Sequence, residues 1–124
     1  MFKDTKAFSG FSVDDVERAK QFYGETLGLE VSDDQGILAL EIAGERTVIA
    51  YPKGDDHLPA SFTILNFPVD DVEAAVDALA ERGVEFERYE GLDQDDKGIM
   101  RGHGPDIAWF RDPARNILSV IKPE

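Results

Sequence analysis

One five-residue string, Val-Asp-Asp-Val-Glu, occurs twice in this chain of 124 residues, at residues 13–17 and again at residues 69–73, a shift of 56 positions (13 to 69). Each copy follows a short apolar run and opens a helix-like segment that ends at a glycine, Gly28 or Gly83. Self-similarity at a fixed spacing constrains the architecture before any single residue does. Two copies are too few for a solenoid, so the repeat predicts two similar modules with a ligand groove between them.

Apolar periodicity and turn residues predict the order β-α-β-β-β for the first module. Its helix is expected to begin at a cap on Asp14 or Ser12 and to end at Gly28. The expected strands of this half are residues 6–13, 29–32, 37–43 and 47–51.

The same order is predicted for the second half, with a helix over residues 70–82. Its expected strands are residues 61–67, 84–89, 106–110 and 116–121. The chain is thus predicted to be one domain of two modules, residues 5–52 and 60–122, joined by a polar linker at 53–59. The one asymmetry is a Gly- and Asp-rich stretch at residues 90–105, a length at which loops are often functional or mobile.

Two predicted strands, residues 48–51 and 117–121, are apolar at both odd and even positions. A strand with one wet face would alternate between apolar and polar residues. Both sheet faces are therefore expected to be covered, one by the helices and the other by a pocket around which the sheet curves.

The charge balance narrows the choice of partner. Asp and Glu number 26 against 13 Lys and Arg, which gives a formal net charge of −13. Such a field repels phosphate backbones and anionic lipid, so neither nucleic acid nor a membrane is an expected partner, whereas a cationic ligand is favoured. Cysteine is absent. With no membrane-length apolar run and no apolar signal segment at the start, a cytoplasmic location is expected.

The motifs in this order resemble the vicinal oxygen chelate superfamily, which includes glyoxalase I, extradiol dioxygenases and bleomycin-resistance proteins. The similar segments are Val-Asp-Asp-Val at 13–16, Phe-Tyr at 22–23, Leu-Gly-Leu at 27–29, Asp-Pro at 112–113 and Asn-Ile-Leu at 116–118. The resemblance implies an α+β fold in which two βαβββ modules form a curved mixed sheet around a central cleft. It also implies a homodimer.

Enzymes of this superfamily hold a divalent metal on His, Gln or Glu side chains from four strands. Transferred through the motifs, those positions fall on Phe8, Ala50, Ile64 and Ser119. Three of these side chains have no donor atom, and serine offers only a neutral hydroxyl, whereas such ions require N and O donors. The sequence therefore predicts neither a metal nor another cofactor.

Residues at alternate positions along these strands are expected to face the same side as those four. They would give a pocket an apolar lining with a few polar groups, which is the usual composition of a small-molecule site. Trp109 is the expected stacking platform for a planar or cationic ligand. The predicted ligand-binding residues are Phe8, Ser12, Val48, Ala50, Ile64, Asn66, Trp109, Ile117 and Ser119. The alternative is that these side chains only fill a core.

Two titratable residues are weak catalytic candidates. Glu41 lies within an otherwise apolar strand, and His103 precedes the strand expected at residue 106. Either one is able to serve in acid–base chemistry if it faces the cavity. His57, in Asp-Asp-His at 55–57, is expected to be a solvated linker residue.

The function predicted from these features is metal-free binding of a small apolar or cationic molecule, as in resistance proteins that sequester a drug. Whether the chain is an enzyme stays open. The alternative is a lyase, isomerase or dioxygenase that uses an atypical metal site, or metal-free acid–base chemistry through Glu41 or His103. A third possibility is an assembly subunit that binds no small molecule.

Overall fold

The structure, a computed structural model, describes residues 1–123. The chain forms two compact units, Met1–Leu58 and a second unit that begins at Pro59. The α+β class implied by the resemblance and the βαβββ-like plan predicted for each half are confirmed. Within residues 1–123, no helix is long and apolar enough to cross a membrane.

Both copies of the repeated string begin a helix in the same way. The N-caps are Asp15 and Asp71, the second aspartate of each copy, with φ near −129° and −137°. Asp15 accepts from the backbone N–H of Arg18 at 3.2 Å, and Asp71 accepts from that of Ala74 at 3.1 Å. A side-chain oxygen at this position satisfies one of the unpaired N–H groups of the first turn. The expected cap on Asp14 or Ser12 is therefore wrong by one residue or more.

The first unit consists of one sheet with a helical segment across it. The sheet has the strand order β1-β4-β3-β2, with β1 parallel to β4 and the other pairs antiparallel. Its elements are β1 Ser9–Val13, α1 Val16–Gln21, a π-helical turn Phe22–Thr26, β2 Glu30–Asp34, β3 Ile37–Ile42 and β4 Glu45–Pro52.

The helical segment covers the face of the first sheet that carries Phe11. The Tyr23 ring lies 5.7 Å from the Phe11 ring, and both residues are buried. Phe11, Ala50 and Leu38 are register partners across β1, β4 and β3 and are all buried. Burial of these side chains holds the unit together.

The second unit repeats the plan with the strand order β5-β7-β6, β5 parallel to β7 and β6 antiparallel to it. Its elements are β5 Thr63–Pro68, α2 Val72–Glu81, β6 Ile107–Arg111 and β7 Ile117–Ile121. Phe110 on β6 and Leu118 on β7 are register partners with no exposed surface. Val72 and Val76 are the buried residues of α2, which packs on β6 and β7.

The strand expected at residues 84–89 is not a regular strand. Its backbone pairs with β6 at an isolated antiparallel bridge, Phe86 to Phe110, and through a hydrogen bond from Glu87 N to the Trp109 carbonyl at 2.8 Å. Beyond this point, the Gln94 amide takes the place of a neighbouring strand. Gln94 accepts from Tyr89 N at 2.8 Å and donates to the Glu87 carbonyl at 2.9 Å. The alternation of residues that predicted a strand here does not reveal whether its backbone groups bond to another strand or to a side chain.

The stretch at residues 90–105 is tied to the body of its unit. Asp95 accepts from the backbone N–H groups of Lys97 and Ile99, each at 2.9 Å. Lys97 reaches α2 and lies 2.9 Å from Asp77. Gly98 has φ +85°, and a Cβ there would lie 3.3 Å from Phe86 Cβ, so glycine suits this close approach.

Candidate functional site

In the first unit, the sheet face opposite Phe11 carries Ser12, and we call it the Ser12 face. Register places Gly10 beside Ile49 and Ser12 beside Tyr51, and β3 adds Ala39 beside Ile49. Strand partners point to the same side, so these side chains share one surface. A Cβ on Gly10 would lie only 3.0 Å from Ile49 Cγ1, so the glycine lets Ile49 lie flat across β1.

Exposed apolar side chains lie at the ends of the Ser12 face. Tyr51 is 37% exposed and Ile37 is 42% exposed. Phe8, one residue before β1, falls on this side by alternation and is 67% exposed. Of the residues predicted to bind a ligand in this unit, Phe8 and Ser12 therefore share a face.

Val48 and Ala50 lie on the other face. Ala50 is the register partner of Phe11 and is completely buried, and Val48 pairs with Ser9. The predicted parity of this strand is thus wrong by one residue, and Ile49 and Tyr51 occupy the positions expected for Val48 and Ala50. The strand is apolar at both parities, so its sequence alone does not determine which residues face the helix.

A contact missed by sequence reasoning joins the linker to the Ser12 face. The Ser12 hydroxyl lies 2.7 Å from His57 Nδ1, although 45 positions separate the two residues. His57 follows a short 3₁₀ turn, Gly54–Asp56, and is partly buried. The expectation that His57 is a solvated linker residue is therefore wrong. The sequence does not reveal this contact, because it depends on the pairing of β1 with β4, which brings the linker near Ser12.

In the second unit, one face carries Trp109, and we call it the Trp109 face. Trp109 on β6, Ser119 on β7 and Asn66 on β5 are successive register partners across the sheet. The Ser119 hydroxyl donates to Asn66 Oδ1 at 2.5 Å. Ser119 is completely buried, whereas Trp109 is partly exposed. The structure thus brings three predicted residues together.

Ile117 also lies on this face, two positions before Ser119, and is buried. Ile64 falls where the pairing of β5 with β7 shifts register, between Thr63 and Leu65. The backbone register therefore does not assign Ile64 to either face.

An aromatic and ionic group extends the Trp109 face past the edge of β6. The rings of Tyr89 and Trp109 are 5.5 Å apart at 73°, an edge-to-face arrangement. The Arg111 guanidinium donates to the Glu87 carboxylate, and both side chains are about one quarter exposed (26% and 27%). Sequence reasoning missed Tyr89 and Glu87. The two residues occupy alternate positions of the segment at 84–89, and this spacing indicates that they share one face.

Burial raises the pKa of the Tyr89 phenol above its ordinary value of 10.0; the Arg111 charge lowers this pKa and the Glu87 charge raises it further. The Tyr89 hydroxyl oxygen is buried and has no hydrogen-bond partner among residues 1–123. A buried hydroxyl without a partner costs about 1–3 kcal/mol.

The two catalytic candidates lie in different surroundings. Glu41 is partly buried and is the register partner of Glu30 at the β2 end of the Ser12 face. His103 is exposed and lies 3.4 Å from Asp93 Oδ2 in the stretch at 90–105. Neither location shows whether the residue acts in catalysis.

The residues at the positions of the superfamily's metal ligands do not fit a metal. The side chains of Phe8, Ile64 and Ala50 offer only carbon, as does that of Ile49, which lies beside Gly10 on the Ser12 face. The Ser119 hydroxyl is bonded to Asn66. In the described part of the chain, no group of three or more His, Cys, Asp or Glu side chains is placed to hold an ion.

A separate open depression of about 640 Å³ lies along α1 and β2 and is lined by Glu17, Arg18, Lys20, Gln21, Gly24, Glu25, Leu29, Glu30 and Val31. It contains none of the predicted ligand-binding residues. Most of these side chains are polar or charged, which is unlike the apolar lining of a typical small-molecule site.

Residues 8–120 match the Glyoxalase/Bleomycin resistance protein/Dioxygenase superfamily. The match covers most of the sequence, and the chain belongs to this superfamily. The resemblance inferred from the motifs is confirmed. No curated protein matches the chain.

Solved structures agree with the family. TnmS3, an antibiotic binding protein from Streptomyces sp. CB03234, is 25% identical over 100% of both chains, with a TM-score of 0.73. A glyoxalase/bleomycin resistance protein from the same strain is 27% identical over 94% of this chain and 100% of its own, with a TM-score of 0.61. Lactoylglutathione lyase from Agrobacterium tumefaciens is 16% identical over 98% and 96%, with a TM-score of 0.69, and supports the fold alone.

Proposed function

We propose that the chain binds a small, planar, largely apolar molecule on the Trp109 face and sequesters it without chemical change. The observation that carries this proposal is the edge-to-face pair of Trp109 and Tyr89 beside the polar pair of Ser119 and Asn66 on one sheet face. An apolar surface with a few fixed polar groups is the usual composition of a small-molecule site.

Two further observations support binding of this kind. TnmS3, described as an antibiotic binding protein, is similar to this chain along its whole length. The net charge of −13 disfavours anionic ligands, so a neutral or cationic molecule fits the surface better. The donor set at the superfamily's metal positions supports binding without a metal.

The proposal is tested with the fluorescence of Trp109, which is the only tryptophan in the sequence. A panel of neutral and cationic polycyclic aromatic compounds is titrated into the protein, and a saturable change in emission is expected for some of them. Mass spectrometry of the recovered compound then separates sequestration from turnover. A flat response across the panel contradicts binding, and a chemically altered compound contradicts sequestration.

A matched pair of variants locates the site. Replacing Trp109 with Phe removes part of the stacking surface, and an aromatic contact is worth about 0.5–1.5 kcal/mol. Equilibrium dialysis should therefore show affinity for a compound that binds the wild type reduced about three- to tenfold. F2L, which alters an exposed aromatic residue of the first unit, is the control and should leave the affinity unchanged.

We also propose that the chain forms a homodimer, as the family resemblance implies, and that it is cytoplasmic. The first sheet has β1 and β2 at its edges, and exposed edges are commonly covered by a partner. Light scattering across a dilution series should give twice the monomer mass of 13.7 kDa at high concentration. The monomer mass at every concentration would contradict the dimer.

A further inference from the structure

We propose that the free edge of strand β2 is a docking site for an extended peptide segment of another protein that carries Lys or Arg at alternate positions. The segment adds to the first sheet as a further strand beyond β2, which is a general mode of peptide recognition. This edge lies in the first unit, whereas the Trp109 face lies in the second. The inference therefore goes beyond the proposed function and does not depend on it.

The first reason is that the edge of β2 carries backbone groups without a partner. β2 is joined to β3 by a two-residue turn, Gln35 and Gly36, both of which have positive φ (54° and 87°). Residues that flank such a turn form a hydrogen-bonded pair, and bonded and non-bonded pairs then alternate along the two strands. The N–H and C=O groups of Val31 and Asp33 therefore point away from β3. No backbone group within residues 1–123 bonds to them on that side.

The second reason is that the edge has room beside it for another strand. The open depression of about 640 Å³ lies along α1 and β2, and Leu29 and Val31 supply apolar groups to its lining. Glu17, Gln21 and Glu25 line it from the helical segment, and their spacing of four residues places them on one face. A groove between an edge strand and a helix offers an added strand contacts to side chains as well as to the backbone.

The third reason is the charge along β2. Its sequence, Glu-Val-Ser-Asp-Asp, contains three acids and no cation. Glu30 and Asp34 are exposed and point to the Ser12 face, where Glu41 is the register partner of Glu30. None of these three carboxylates forms an ion pair within residues 1–123. Lys or Arg side chains at alternate positions of an added strand would lie directly opposite them.

Cations near the edge determine which side of the added strand is basic. Arg18 and Lys20 line the depression on its helix side, where they offset the acids of α1. On the Ser12 side, Arg46 lines a small depression with Glu30 and Glu41 but forms no ion pair with either in the described part of the chain. The apolar side chains of the partner therefore face α1, and its cations face the Ser12 side.

A second copy of this chain fits the same edge poorly. Antiparallel pairing of two β2 strands would set acids such as Glu30 and Asp34 against one another, and like charges directly opposite destabilise a sheet. Acids on an edge strand thus hinder self-pairing and leave the edge open to a strand of opposite charge.

The corresponding segment of the second unit, residues 84–89, is closed by a side chain. The Gln94 amide accepts from Tyr89 N at 2.8 Å and donates to the Glu87 carbonyl at 2.9 Å. Within residues 1–123, no side chain bonds in this way to the backbone of Val31 or Asp33. Of the two copies of the repeat, the first therefore has the open edge.

Binding is measured by fluorescence anisotropy with a labelled peptide, Gly-Lys-Val-Lys-Val-Lys-Gly, and with its matched control, Gly-Glu-Val-Glu-Val-Glu-Gly. The Lys peptide should bind saturably at low salt, with one peptide per chain, and the Glu peptide should not bind. E30K/D34K should weaken binding of the Lys peptide about tenfold, because two surface ion pairs become repulsive contacts. E81K/E85K makes the same change of net charge at exposed acids of the second unit and should bind the Lys peptide as the wild type does.

N-methylated peptides test strand addition without any change to the protein. Methyl groups on the backbone nitrogens of the Lys residues block one edge of the peptide, and those on the Val residues block the other. One of the two peptides should lose affinity: the N-methyl-Val peptide if it runs antiparallel to β2, and the N-methyl-Lys peptide if it runs parallel.

A variant of the edge itself gives a second measurement. V31P removes an outward N–H at a position where an edge strand tolerates proline, and it should weaken binding of the unmodified Lys peptide about fivefold, the value of one hydrogen bond. Far-UV circular dichroism shows whether V31P is folded, and the N-methylated peptides decide the question if it is not.

Failure of the Lys peptide to bind, equal affinity for the Lys and Glu peptides, or equal weakening by E30K/D34K and E81K/E85K would overturn the docking site on β2. Loss of affinity in neither or in both of the N-methylated peptides would overturn strand addition. Dissociation of a dimer by V31P, measured by light scattering, would assign the edge to a second copy instead. The aromatic panel tests the Trp109 face separately.

Discussion

The Ser12 hydroxyl and His57 Nδ1 lie 2.7 Å apart across 45 positions of sequence, and this contact anchors the linker to the strand β1. A second bond, from Lys53 N to the Val13 carbonyl at 2.9 Å, attaches the start of the same linker. The linker is therefore part of the first unit and is held beside the Ser12 face.

Replacing His57 with Ala should lower the free energy of unfolding by about 1 kcal/mol, the usual net value of one such hydrogen bond. Urea denaturation measures the change. H103A is the matched control, since His103 is exposed and its nearest acid lies 3.4 Å away, and it should shift stability by less than about 0.5 kcal/mol. An equal effect of both variants would show that the Ser12 contact contributes nothing.

Replacing Asn116 with Ala should lower the free energy of unfolding by about 2–3 kcal/mol. The reason is that the buried Asn116 amide donates to Asp112 Oδ2 at 3.1 Å and accepts from Ala60 N at 3.0 Å. The neighbouring Arg115 has φ +67°, which favours glycine. R115G should therefore be neutral or slightly stabilising, because the backbone carbonyl that accepts from Arg111 remains. Thermal or urea unfolding checks both, and a milder loss for N116A than for R115G would contradict this account of the turn.

The acid side of the stability curve should depend on Asp95. Burial raises its pKa, but the N–H groups of Ile99 and Lys97 and the charges of Arg101 and Arg88 outweigh burial and hold the pKa below its ordinary value of 3.8. A depressed folded-state pKa adds stability above 3.8 that is lost as the pH falls through the folded-state value. D95N should therefore be less stable than the wild type at neutral pH, and the difference should shrink in acid.

Unfolding curves between neutral pH and strongly acidic pH measure this difference. D93N, which alters an exposed carboxylate of the same stretch, should follow the wild type at every pH. A constant gap between D95N and the wild type at all pH values would show that the lost contribution is steric and does not depend on ionisation.

Protein purified without chelators should contain no stoichiometric Ni, Zn, Fe or Mn, because the four transferred positions supply carbon atoms and a hydroxyl already bonded to Asn66. Elemental analysis by mass spectrometry measures this. One equivalent of any of these metals would contradict the prediction and would favour the enzymatic alternative.

The sequence was sufficient for the architecture because the repeat places a cap, a helix and strands at the same spacing twice. It was not sufficient for the site in the first unit. Val48 and Ile49 are equally apolar, so only the pairing of Gly10 with Ile49 shows which of them faces away from the helix. In the second unit, the polar residues Asn66 and Ser119 interrupt apolar runs, and the register places both beside Trp109. The surroundings of the Tyr89 hydroxyl became evident only from the structure.

The Gln94 amide has a consequence for solubility. A neighbouring strand would ordinarily supply the hydrogen-bond partners of the backbone groups in the segment at 84–89, whereas here the Gln94 side chain supplies them. A mutation there would uncover the Glu87 carbonyl and the Tyr89 N–H as a docking edge for a foreign strand. We therefore expect Gln94, by bonding these two groups, to hinder the pairing of a second chain with this segment.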